Sequence, residues 1–197
     1  MNKSELVEVA AQEAGITKAA ADKALSAIIG EPLDFSRYEG MEEDRFVLRA
    51  ITDEEARELL ATCKRGVFAV NGDDGYPYAI PVNYFFDAEH DKIYFHGAKA
   101  GHKVDALKRD DKICFTVYGN EHFEPGDWAP YVQSTVVFGR CHLIDDAAAT
   151  EARVRELGMK YYPGKEEVEK EIALDIKAVQ LYEITIEHLT GKQIQEK

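Results

Sequence analysis

Period-two alternation constrains this chain more than any other feature. In PYAIPVNY (residues 77–84), Tyr78, Ile80, Val82 and Tyr84 alternate with Pro77, Ala79, Pro81 and Asn83. Successive side chains of an extended strand point to opposite faces, so this pattern buries one face of a sheet. The same period returns after residue 65 in run after run. GVFAVN and GYPYAIPVNYFF read as two strands joined by an Asp-Asp-Gly turn, DKIYFHG as a third, KICFTVYG as a fourth, YVQSTVVFGRCHLI as a fifth and VQLYEITIEHLTG as a last. Gly139, inside the fifth, marks a bend or bulge. Pro77 and Pro81 lack ladder donors and belong at a sheet edge or irregularity.

Helices are few and short between these runs. Thr52 followed by Glu55 forms a capping box, and Ala56, Leu59 and Leu60 give that helix its apolar face. Further helices are expected over 101–109, 146–160 and about 165–173. Mostly antiparallel strands with short helices predict a closed sheet, not a parallel doubly wound one. The first thirty residues read differently: Leu6, Ala10 and Ala14, then Ala21, Leu25 and Ile28 or Ile29, recur at helical spacing on either side of Gly15, and Thr17 can cap the second helix. The expected organisation is a helical hairpin over 1–30, a linker over 31–45 and a main domain over 46–197.

Composition sets limits on partners. The 197 residues carry a formal net charge of −13, which argues against broad attraction to nucleic acid and makes any anion site a local exception. No apolar run approaches bilayer length, and no secretory signal pattern opens the chain, so the sequence predicts a cytoplasmic protein without membrane partners. Cys63, Cys114 and Cys141 are widely spaced and odd in number, which fits reduced structural thiols. His96 and His102 have no acidic or cysteine neighbour at metal-ligand spacing, so no metal site is expected. Nucleotide-binding and hydrolase glycine motifs are missing.

One stretch concentrates chemistry. YFHGAKAGHKVDAL ends a strand at His96, bends through Gly97, Ala98, Lys99, Ala100 and Gly101, and enters a helix at His102 and Lys103. Free backbone N–H groups at a helix N-terminus attract an anion, small residues let it approach, and the flanking cations add charge-assisted hydrogen bonds. A purely structural glycine-rich helix entry gives the same pattern. On the proline-bearing strand, Ile80 to Asn83 either leave backbone groups for a planar ligand or form a defended edge. Trp128 and Tyr131, in a loop before the fifth strand, either line a pocket or seal an interface.

Two resemblances follow from these segments. Residues 1–30 resemble the N-terminal helical hairpin of histone-like HU proteins, which in that family forms dimer contacts. Three lysines against four acids, and no matching basic arms afterwards, argue against inherited DNA binding; the segment is expected to be an interaction hairpin. The order GVFAVNGDDGYPYAIPVNYFFD, IYFHGAKAGHKVDAL, ICFTVYG, YVQSTVVFGRCHLID, over about residues 45–190, resembles the pyridoxamine-phosphate-oxidase-like flavoproteins, closest to the nitroimidazole-resistance branch. The resemblance implies a mainly β fold, a six-stranded antiparallel split β-barrel binding FMN at a homodimer interface.

It further implies the FMN phosphate on Lys103, His102 and Gly101, the third-strand end from His96 to Lys99 beside the ribityl chain and phosphate, and Ile80, Pro81, Val82, Asn83 and Tyr84 along the isoalloxazine ring. Ser134 matches a polar ribityl- or phosphate-side position, with Trp128 and Tyr131 coming from the neighbouring subunit or capping the ring. Tyr78, Tyr84, Phe85 and Trp128 are candidate dimer contacts. His102 stands where the oxidases have an arginine, and EHLTGKQIQEK lacks their C-terminal Arg-x-His, which argues against pyridoxamine phosphate oxidation. The implied function is an FMN-dependent oxidoreductase, a reductase of nitroimidazole-like or other small acceptors fed by NAD(P)H or another donor. The alternative is a non-catalytic flavin or haem carrier or sensor.

Overall fold

The computed structural model describes residues 11–12, 17–21, 46–162 and 164–196, the strand ends 46–49 and 196 by backbone only. The chain divides into two compact units, residues 1–39 and 40–197. In the first, Ala11 and Gln12 are helical, and Lys18–Ala21 open a helix whose Ala20 N–H is accepted by Thr17 Oγ1 at 3.2 Å, the expected cap. The rest of the expected hairpin, and the linker up to residue 45, lie outside the described residues.

The second unit is a single curled antiparallel sheet with helices at its ends and on part of its outside. Its elements are β1 (Phe46–Ala50), α1 (Asp53–Thr62), β2 (Arg65–Asn71), β3 (Pro77–Asn83), β4 (Phe85–Asp87), β5 (Lys92–Ala98), α2 (His102–Arg109), β6 (Lys112–His122), β7 (Tyr131–Ile144), α3 (Ala147–Tyr161), α4 (Lys165–Asp175) and β8 (Val179–Glu196). Strands run in the order β3-β2-β6-β7-β8-β5-β4, with β1 added to β8. β8 organises the sheet. It pairs with β7 along most of its length, with β5 from Val179 to Thr185, and with β1 from Lys192 to Glu196.

This is the antiparallel curled sheet that the alternation predicts and the split β-barrel that the resemblance implies, with eight strands instead of six. Two causes account for the difference. Tyr84 interrupts the second expected strand and divides it into β3 and β4. Phe46–Ala50 shows no alternation by itself and becomes a strand because the tail of β8 offers it a ladder. Gly139 does sit at a bulge: a side chain there would come within 2.1 Å of the Thr185 carbonyl oxygen, where the β7–β8 register shifts. The Asp73–Gly75 turn is tight, with Asp74 and Gly75 both at positive φ, 55° and 79°. β3 is the terminal strand of the order, as its prolines require.

Inward-facing residues of every central strand meet in one core. Phe95 stacks on Tyr182 with ring centroids 4.5 Å apart, Phe68 tilts against Phe95 at 4.8 Å, and Tyr84 packs edge-on to Phe115 at 5.0 Å. α1 contributes Ala56, Leu59 and Leu60 to this core, and α2 contributes Val104, Ala106 and Leu107. The capping box of α1 is complete: Glu55 N–H donates to Thr52 Oγ1 and Thr52 N–H to Glu55 Oε2. α3 lies over β4 and β5, where the Arg153 guanidinium covers the Tyr94 ring and pairs with buried Asp87 at 2.9 Å. Among the described residues no helix is long and apolar enough to cross a membrane.

The sheet's two edges, β3 and β4, are consecutive in the chain, and Tyr84 between them is fully buried. Its hydroxyl donates to the Leu60 carbonyl at 2.5 Å, and its N–H donates to the Tyr161 hydroxyl at 2.9 Å. The Tyr161 hydroxyl in turn faces the carbonyls of Tyr84 and Lys64, with one proton to donate. Lys160 Nζ lies 4.1 Å over the Tyr84 ring and donates to the Cys63 carbonyl at 2.7 Å. Tyr84, a candidate dimer contact by sequence, is therefore a core residue.

Two measurements check this closure. Tyr161→Phe leaves the Tyr84 N–H without its acceptor and should cost about 1–3 kcal/mol in urea unfolding. Burial pushes the Lys160 ammonium down to about 8, below the ordinary lysine value. The unfolded chain then holds that proton to higher pH than the folded chain, so this group adds stability as pH rises above about 8. Lys160→Met should remove that part of the rise; an unchanged pH slope would contradict it.

Candidate functional site

The cationic turn forms where β5 ends. Pairing with β8 holds His96 opposite Leu181, Gly97 opposite Gln180 and Ala98 opposite Val179, and Tyr182 donates its hydroxyl to the Ala98 carbonyl at 2.9 Å. The chain then bends through Lys99 and Ala100 to Gly101, whose φ of 126° suits glycine. The Gly101 carbonyl accepts from Val104 and Asp105, and no side chain caps the helix. The first N–H groups of α2 are thus directed outward at the positive end of its dipole.

Lys103 folds back over this strand end. A Cβ on Gly97 would stand 2.9 Å from Lys103 Nζ and 3.3 Å from the Tyr182 ring, so glycine is what admits the lysine. The ammonium lies 5.3 Å from the Tyr182 ring centroid, and neither Lys99 nor Lys103 has a carboxylate partner among the described residues. His96, open to solvent along one edge, has its pKa lowered by the packed protein around it and by the Lys103 charge. The Lys103 charge that contributes to this lowering is also the setting an anion prefers.

His102 takes a different part. Its ring lies against Tyr78, centroids 4.3 Å apart, and its Nδ1 is 3.6 Å from Asp73, which also binds Arg109 at 2.7 Å. The side chain docks α2 on the β2–β3 turn, and its backbone remains at the helix entrance. On β3, Pro81 and Asn83 face outward, Ile80 and Val82 are half-buried against the core, and the Tyr84 side chain is unavailable to a ligand. As an edge strand, β3 leaves one row of backbone groups without a strand partner.

The structure brings the residues of 96–103 together with Tyr78 and Tyr182, and keeps the other predicted residues elsewhere. Trp128 is 75% exposed in the β6–β7 connection, and Tyr131 stacks on His122 at 5.3 Å. Ser134 pairs with Tyr118 and Lys192. His96 and Ser134 lie beside β8 positions roughly 36 Å apart along that strand, at 3.3 Å per residue. Tyr182, beneath Lys103, was not singled out by sequence; only its place in an alternating strand pointed inward.

The sequence matches the family model described as pyridoxamine 5'-phosphate oxidase over residues 52–193. The chain belongs to that family. No curated protein matches it significantly. A solved structure of a protein assigned to 5-nitroimidazole antibiotic resistance, from Bacteroides thetaiotaomicron, is 15% identical with a TM-score of 0.64, over 80% of this chain and 96% of that one. The flavocytochrome Anf3 from Azotobacter vinelandii is 23% identical at 0.58, over 74% and 68%. An FAD and heme binding protein from Mycobacterium smegmatis is 18% identical at 0.57, over 76% and 73%. At these identities the likeness is one of fold.

Lys103→Ala should raise the pKa of His96 toward the ordinary imidazole value in an NMR titration. An unmoved His96 would show that the lysine charge does not reach the strand end.

Proposed function

We propose that this family member is a flavoprotein that holds FMN at the β5–α2 turn and passes electrons to a nitroimidazole-like or other small acceptor. The observation that carries the reading is Lys103, folded over Gly97 at the uncapped entrance of α2. The residues fit a phosphate: the Lys103 ammonium and the outward N–H groups of α2 hold it, and Gly97, Ala98 and Gly101 allow close approach. A bound anion would offset the Lys103 charge that helps lower the His96 pKa, and so favour the protonated imidazole beside it. Lys99 adds charge at the rim. The edge of β3 from Ile80 to Asn83 offers backbone groups to the ring, and the Tyr84 backbone anchors that edge.

Bound FMN supplies hydride and electron chemistry; the chain supplies position, electrostatics and exclusion of water. Trp128, Tyr131 and Ser134 reach the same ligand only from a second copy, given their distance along β8 from His96. The reading therefore includes a homodimer with shared sites, fed by NAD(P)H or another donor, in the cytoplasm. Residues 1–30 would serve as an HU-like docking or dimerisation arm. Pyridoxamine phosphate oxidation is not proposed, because His102 is turned to Tyr78 and Asp73. A flavin or haem carrier is the second reading, prompted by the flavocytochrome and the FAD and heme binding protein among the similar structures.

Purified protein should carry extractable FMN, and Lys103→Ala should weaken FMN retention about ten- to a hundred-fold through loss of a charge-assisted bond. Unchanged retention would remove Lys103 from the site. Anaerobic NADH or NADPH should bleach the flavin band of the holoprotein; a band that never bleaches favours the carrier.

A further inference from the structure

A row of polar side chains crosses the outer face of the sheet. Asn83 of β3 stands opposite Arg65 of β2, and Tyr118, Ser134 and Lys192 stand opposite one another on β6, β7 and β8. The two parts meet. Carrying the Val67–Thr116 pairing two residues further sets Arg65 beside Tyr118, and Cys63 Sγ, 3.6 Å from the Tyr118 carbonyl, keeps those chain ends together. Phe68, Val117 and Thr135, of the opposite parity, face the core, so the row faces away from it.

None of the five side chains has a hydrogen-bond or ion-pair partner among the described residues. Their chemistry is one-sided: a guanidinium, an ammonium, two hydroxyls and an amide, with no carboxylate, in a chain of net charge −13. Such a row recognises an anion.

A hollow adjoins it. Two residues further along the same face, Val132 pairs with Ile194, and together with Trp128 they line a space of about 210 Å³. The loop that presents Trp128 is tied down by buried Gln195, whose amide donates to Asp127 Oδ2 at 2.6 Å. An apolar cavity of about 150 Å³ accepts benzene, so this hollow has room for one substituted ring.

We propose that this face binds a small aromatic anion, its ring against Trp128 in the hollow and its anionic group on Lys192 and Ser134. Tyr118 continues the row, and Arg65, roughly 14 Å from Lys192 across three strand spacings, adds attraction from its far end. The proposed function sets Trp128 and Ser134 beside the FMN of a second copy, so the ligand would lie next to that flavin; its role as electron acceptor rests on that reading, its binding does not.

Trp128 is the chain's one tryptophan, so its fluorescence reports this site. The full chain is titrated, without reductant, with 4-nitrobenzoate and with its neutral counterpart 4-nitrobenzamide, correcting collisional quenching against N-acetyltryptophanamide. Saturable quenching is expected, with the carboxylate bound at least about ten-fold tighter. That preference should fall in Lys192→Gln, vanish in Arg65→Gln/Lys192→Gln, and shrink with salt. Absence of saturation, equal affinity for the two probes, or a preference intact in the double variant would overturn the proposal. FMN content is measured in parallel. A double variant that keeps its FMN and loses the carboxylate preference supports the proposal, whereas one that loses FMN and keeps the preference assigns the row to the flavin and overturns it. A wild-type chain that shows the preference but carries no flavin keeps this site while refuting the flavin reading.

Discussion

The two edge strands of the sheet, β3 and β4, are neighbours in the chain, and the residue between them is held from three elements at once. Tyr84 gives its hydroxyl to the end of α1, exchanges backbone bonds with Tyr161 at the end of α3, and packs its ring between Phe115 and the Lys160 ammonium. A curled sheet leaves two rows of unpaired edge groups; here the two edge strands are tied at one point, by the covalent chain and by one phenol, and the free row of β3 remains open. No buried side-chain polar atom among the described residues lacks a partner, so the closure carries no unmet hydrogen bond of that kind.

The site inherits its position from that closure. β5 is bound on one side by β4, which Tyr84 fixes, and on the other by β8. β4 reaches only Lys92–Tyr94, and β8 alone carries the pairing on through His96, Gly97 and Ala98 to where the cationic turn begins, while α2 is pinned again by His102 and Arg109 on Asp73 of the hairpin turn. A flexible loop with the same residues would lose more entropy in gathering around an anion. The geometry instead holds Lys103, Gly97 and the helix entrance together in advance.

Much of this was legible in the sequence, because local rules decide it. Alternation located the core strands, Thr52 and Glu55 gave the start of α1, Pro77 and Pro81 marked the edge, and Gly139 marked the bulge. The cationic turn was also visible, since its residues are contiguous. What escaped depends on partners distant in the chain. β1 exists because of the tail of β8, Tyr84 turns inward because α1 and α3 supply its partners, and His102 leaves the anion side because Tyr78 and Asp73 take its ring. Lys103 rests on Tyr182, far along the sequence, and the distance between His96 and Ser134 appears only when both are laid along β8.

The polar row on the outer sheet face belongs to the same class of hidden feature: its members sit on five strands and no two are adjacent in the chain. Both sites attract anions in an acidic molecule, but the one at the β5–α2 turn is shaped around a phosphate, and that distinction is measurable. Calorimetric titration of flavin-free protein with FMN and with riboflavin, which share the ring and differ in the phosphate, tests it most directly. FMN should bind at least about ten-fold more tightly. Equal affinities would mean that Lys103 and the entrance of α2 do not hold the phosphate.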